Sequence, residues 1–70
     1  MNKTIFEVIK TDFKAWLTEY IDLHRYEIIF TVTIATGNNY TEKNFKSFRA
    51  ACHCFNKNCI NHGATDSVIW

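Results

Sequence analysis

Between Thr41 and Gly63 the chain carries three cysteines and two histidines inside a segment whose apolar residues recur at helical spacing, and the two patterns demand incompatible folds. Cys52, Cys54, Cys59 and His62 offer four tetrahedral ligand atoms within eleven residues, the makings of a zinc knuckle. Phe45, Phe48, Cys52, Phe55 and Cys59 instead form a stripe at steps of three and four, the mark of a helix with one buried face. On a helix Cys52 and Cys54 stand about 200° apart at ~100° per residue, too far round the axis to share an ion. Structural zinc sites also space their paired cysteines by two residues or more. A helix is therefore expected, with Cys52 and Cys59 buried as small apolar side chains. No cofactor or metal ligand is then implied, and the zinc knuckle stands as an alternative.

The remaining periodicities predict an α/β (α+β) domain in the order α-β-α-β, two helices packed on a small sheet. Thr4-Ile5-Phe6-Glu7 matches a capping box, and Ile5 or Phe6, Ile9, Phe13, Trp16 or Leu17, and Tyr20 follow at helical steps, which predicts a first helix over residues 4 to 23. From Tyr26 the period becomes two, with Tyr26, Ile28, Phe30, Val32 and Ile34 on one face of a strand. Thr36-Gly37-Asn38-Asn39 supplies a turn, Thr41 a cap for the second helix, and Gly63 its left-handed stop. Residues 65 to 70 are β-rich and predict a second strand, parallel to the first and ending at Trp70.

A chain of 70 residues makes one domain, residues 1 to 70, near the lower limit for a self-sufficient core. Its 47% hydrophobic and 16% aromatic content is enough to bury one. Two strands alone are marginal in water, so a homodimer that joins sheets, or docking of a sheet edge onto another protein, is expected. Three cysteines are an odd number, and no apolar run approaches the roughly 18 residues of a membrane span, so a reduced, cytoplasmic protein is the expectation. His24 and His62, each at the end of an expected helix, are read as partners of the last helical carbonyls.

Charge is uneven. Residues 1 to 41 carry Glu7, Asp12, Glu19, Asp22 and Glu27 against Lys3, Lys10, Lys14 and Arg25, a balance of −1. Residues 42 to 62 carry Glu42 against Lys43, Lys46, Arg49 and Lys57, a balance of +3. Lys43, Lys46, Arg49, His53 and Lys57 are the candidate binding residues, spaced along the polar face of the second helix for phosphates or an acidic protein surface. The aromatic rings sit on its opposite stripe, and only Tyr40 is placed to stack on a base. No phosphate loop, dinucleotide glycine fingerprint, catalytic carboxylate pair or serine elbow is present, and His53 cannot reach Cys52 or Cys54 on a helix as a catalytic base. No catalytic residue is assigned, and an enzyme is not expected.

The run Phe30-Thr31-Val32-Thr33-Ile34, with the polar turn and Phe- and Arg-bearing helix after it, resembles the opening strand-helix unit of rolling-circle replication initiators of plasmids and filamentous phages, over about 40 residues. That resemblance implies a ferredoxin-like nucleic-acid domain. The histidine pair and nucleophilic tyrosine motif of that family have no counterpart here, so no site residue carries over. In general character the chain is similar to the short proteins with which phages and mobile elements block host systems, anti-CRISPR inhibitors among them. The expected function is a small non-enzymatic protein that binds and occludes a host protein or nucleoprotein complex. Direct nucleic-acid binding by the basic face is the rival expectation.

Overall fold

A computed structural model describes residues 2–69, and its order is β-β-β-β-α. Strands β1 (Asn2–Ile9), β2 (Phe13–Asp22), β3 (Glu27–Thr36) and β4 (Asn39–Phe45) form an antiparallel meander in the order β1-β2-β3-β4. Helix α1 (Phe48–Asn61) lies across one face, and a 3-10 turn at Thr65–Ser67 follows it.

The expected α-β-α-β arrangement is thereby corrected, and the first helix is the main error. Residues 4 to 23 are two strands, β1 and β2, joined by a tight reversal in which the Lys10 amide donates to the Phe13 carbonyl at 2.8 Å. Thr4 caps nothing. The true inward set is Phe6 and Val8 on β1 with Phe13, Ala15 and Leu17 on β2, a period of two. A bulge hides it: the register steps from Thr4 opposite Thr18 to Phe6 opposite Leu17, which leaves Ile5 as an extra residue. Trp16 and Tyr20, which completed the helical pattern, face the other side of the sheet.

Strand β3 falls where expected, with Phe30, Val32 and Ile34 turned inward, but its neighbours are antiparallel on both sides. Tyr26 is not part of it. That residue sits in the β2–β3 loop at φ 55° and is 93% exposed. Asp22 orders this loop by accepting from the amides of His24 at 3.0 Å and Arg25 at 3.3 Å, so His24 belongs to a hairpin and caps no helix. Gly37, at φ +51°, begins the two-residue turn that returns the chain into β4.

The second helix starts later than expected. Thr41 and Glu42 lie in β4, and the N-cap is Ser47, whose hydroxyl accepts from the Ala50 amide at 3.3 Å. From there the helix runs unbroken beneath the cysteines to Asn61. Gly63 takes the left-handed conformation at φ +78°, and the Ala64 amide donates to the Cys59 carbonyl at 2.8 Å. His62 does meet the helix end as expected, its Nδ1 2.9 Å from the Asn58 carbonyl, and its ring stacks on Phe13 at 4.8 Å.

The expected C-terminal strand is absent among the described residues. Val68 is extended, neither it nor Ile69 joins the sheet, and Ile69 is held instead by Asn56 on the helix. The expectation for Trp70 lies outside the described residues. The core is the single layer between sheet and helix, where Leu17, Val32, Ala51, Phe55 and Cys59 are shut off from solvent. Full burial of Phe55 alone contributes about 1.5–3 kcal/mol.

Candidate functional site

The four cations and one imidazole expected on one helical face come from three parts of the chain. Lys43 is on β4, Lys46 lies in the link to the helix, and Arg49, His53 and Lys57 are on α1. The fold nevertheless brings three of them together. Lys43, His53 and Lys57 line one groove of about 540 Å³ between the β4 edge and the helix.

Each reaches it for a local reason. Lys43 pairs with the buried Val32 in the sheet, so it points to the helix side, and with no strand beyond β4 among the described residues it extends into solvent. His53 and Lys57 are four residues apart on α1 and so lie one above the other. The groove is completed by Phe45, Ala50, Cys54, Asn58 and Asn61, none of them among the candidate binding residues read from the sequence. Asn58 is fixed there, its Nδ2 donating to the Cys54 carbonyl at 2.9 Å and lying 3.7 Å from the Cys54 sulfur.

Lys46 and Arg49 are not among the lining residues. Lys46 stands 3.9 Å from Glu27 across the β4–α1 link, and its side chain is 84% exposed. Such a pair is worth little in water. Lys43, Arg49, His53 and Lys57 have no ion pair or side-chain hydrogen bond among the described residues, and no carboxylate lines the groove. The groove is thus a patch of uncompensated positive potential over a partly apolar floor.

The thiols serve the fold. Cys52 and Cys59 are buried in the core, and burial pushes both thiols above their ordinary value, with the Asp66 carboxylate adding to the effect at Cys59. Cys54 stands about 200° round the helix from Cys52, and among the described residues no three acidic, histidine or cysteine side chains are grouped as metal ligands. The three cysteines are all unbridged.

Among the described residues no helix covers the opposite sheet face. It carries Trp16, whose indole donates to Glu7 at 3.1 Å, and Thr31, whose hydroxyl donates to Asn44 at 2.8 Å. Tyr20 and Tyr40 are exposed on it, and Glu7 and Glu42 outnumber its one lysine, Lys14. No described helix is long and apolar enough to cross a membrane. Comparison of the chain with known protein families, with curated proteins and with solved structures finds no match, so the groove is interpreted from its own chemistry.

Proposed function

We propose that this chain is a small non-enzymatic binding protein that acts stoichiometrically, covering a functional surface of a larger host protein or nucleoprotein complex through the groove between β4 and α1. One observation carries the reading: Lys43, His53 and Lys57 surround one groove with no acidic neighbour, so the charge of the two lysines is available to a partner. A solvated surface helix ordinarily interleaves its cations with carboxylates. Here α1 contains no acidic residue at all. Occlusion as the mode of action is supported by the general likeness to short phage and mobile-element inhibitors and by the small size, which leaves room for a surface site more readily than for an enclosed one.

The test is retention of a complex from extracts of the native cells on immobilised wild-type protein and on the Lys43→Glu/Lys57→Glu variant. A complex held by the wild type and lost by the variant is expected. If both retain it equally, the groove is only a solvated surface. The rival, direct binding of nucleic acid, is favoured by the same unpaired cations and predicts affinity that falls with salt at a slope of about −0.9 per duplex phosphate neutralised. Against it, none of the exposed tyrosines lines the groove: Tyr20 and Tyr40 lie on the opposite, net acidic sheet face and Tyr26 in the β2–β3 loop.

A further inference from the structure

β4 is an edge strand, bonded to β3 on one side and to nothing on the other among the described residues. Residues 39 to 44 are all exposed, and no proline or bulge interrupts them. A regular open edge is a template for another strand, because its alternate amides and carbonyls point outward unpaired. Few natural edges are left so. The groove just described begins where this edge ends.

The two features share one geometry. Thr41, Lys43 and Phe45 face the helix layer, opposite Ile34, Val32 and Phe30, while Tyr40, Glu42 and Asn44 face away. A strand laid along β4 would send every second side chain to the helix side, over Phe45 and Cys54 and between Lys43 and the His53–Lys57 row. Carboxylates at those positions meet the unpaired lysines Lys43 and Lys57, the His53 ring and the side-chain amide of Asn61. We propose that β4 and the adjoining groove accept an extended acidic segment of a partner protein as a fifth strand. This rests on the groove being the binding surface and names what fills it.

A second copy of the chain fits the edge poorly. The antiparallel register that pairs the whole of β4 with itself sets Glu42 against Glu42, and the register one residue pair further along sets Lys43 against Lys43. Like charges directly opposite in a ladder are destabilising. Nucleic acid fits less well again, since it has no alternating amides and carbonyls to offer the open edge.

Selection of short random displayed peptides against the protein, with counter-selection on the Lys43→Glu/Lys57→Glu variant, tests this. Enriched peptides are expected to carry carboxylates at alternate positions and to protect the β4 amides from hydrogen exchange. Their affinity should fall by at least about tenfold in Lys43→Glu, the scale of one charge-assisted hydrogen bond. Methylation of alternate peptide amides, which blocks strand pairing, should abolish binding. If methylated peptides bind equally well, the fifth strand is refuted while the groove stands; if the charge reversals change nothing, both fall. Recovery of no peptide, protection away from β4, or displacement of the peptide by an oligothymidylate at equal affinity overturns the proposal. Unchanged exchange at the β2–β3 amides verifies that the variants remain folded.

Discussion

Among the described residues Asn56 is the one buried polar side chain of the core, 1% exposed, and it clamps the segment after the helix: Ile69 donates its amide to Asn56 Oδ1 at 2.6 Å and accepts from Nδ2 at 2.9 Å. Asn56→Ala removes both bonds. Each is worth about 1 kcal/mol net, and stranding a buried partner costs about 1–3 kcal/mol. Ile69 is only half-buried and can swing out to water, which limits the total to about 2–3 kcal/mol. In a domain of this size that corresponds to a fall in Tm of about 10–20 °C, read by thermal unfolding with the Ile69 amide followed by hydrogen exchange. Asn56→Asp separates the clamp from simple loss of packing. Its carboxylate can accept from the Ile69 amide but donates to the Ile69 carbonyl only when protonated, so the folded state raises its pKa. The stabilisation is then present below the unfolded carboxyl value of about 3.9 and lost as pH rises through the raised folded value. The deficit of this variant against wild type should therefore shrink on acidification. A loss below about 0.5 kcal/mol for Asn56→Ala, or an Ile69 amide that exchanges no faster, refutes the clamp.

Three further outcomes follow from the core and turns. Under native conditions a thiol reagent should modify half-exposed Cys54 before buried Cys52 and Cys59, as mapped by mass spectrometry; the reverse order would contradict the helix orientation. Because folding raises the Cys52 and Cys59 thiols above the ordinary 9.0, their contribution to stability is complete below that value and declines as pH climbs past it, and Cys59→Ala should flatten the alkaline limb of denaturation midpoint against pH. Gly37→Ala meets no atom within 4 Å, so only the left-handed backbone opposes it; a cost of about 1 kcal/mol by urea denaturation is expected, and Gly37→Asn should recover part of it.

The sequence spoke clearly where burial is one-sided and regular. β3 lies in the interior of the sheet, and its inward Phe30, Val32 and Ile34 alternate without interruption, so the period of two is visible. The helix beneath the cysteines was legible for the same reason, with Cys52, Phe55 and Cys59 returning to one face. β1 and β2 were misread because two devices blur their alternation. The Ile5 bulge shifts the phase of β1, and Ala15, wholly buried, is too small to stand out between the larger outward residues Lys14 and Trp16. Meanwhile Ile9, Phe13, Trp16 and Tyr20 fall by chance at steps of three and four although Ile9 is 55% exposed and Tyr20 40% exposed. The local preferences of Thr4, Ile5, Phe6, Val8, Phe13, Trp16 and Tyr20 for strands were the better signal.

β4 was the hardest element to foresee, and its invisibility bears on the site. Asn39 to Asn44 is polar but for the exposed ring of Tyr40, because an edge strand beyond the helix has no face to bury, and the aliphatic-free stretch ends in Phe45, which fits a helical stripe and a strand interior equally. The charge excess was therefore found in the right segment and given the wrong shape. Extending the helix back to Glu42 would leave β3 as the sheet edge, with the apolar row of Phe30, Val32 and Ile34 beside a long unpaired backbone, the arrangement that invites aggregation. Placing a polar strand there, with Glu42 on one face and Lys43 on the other, covers β3 and resists self-pairing at once. The same reversal, made at Lys46 and Ser47, brings the helix back along that strand. Protection of the sheet and construction of the cationic groove are thus one consequence of where the helix begins, which is why Lys43 can act with His53 and Lys57 although a continuous helix would have kept it well over a turn away from them.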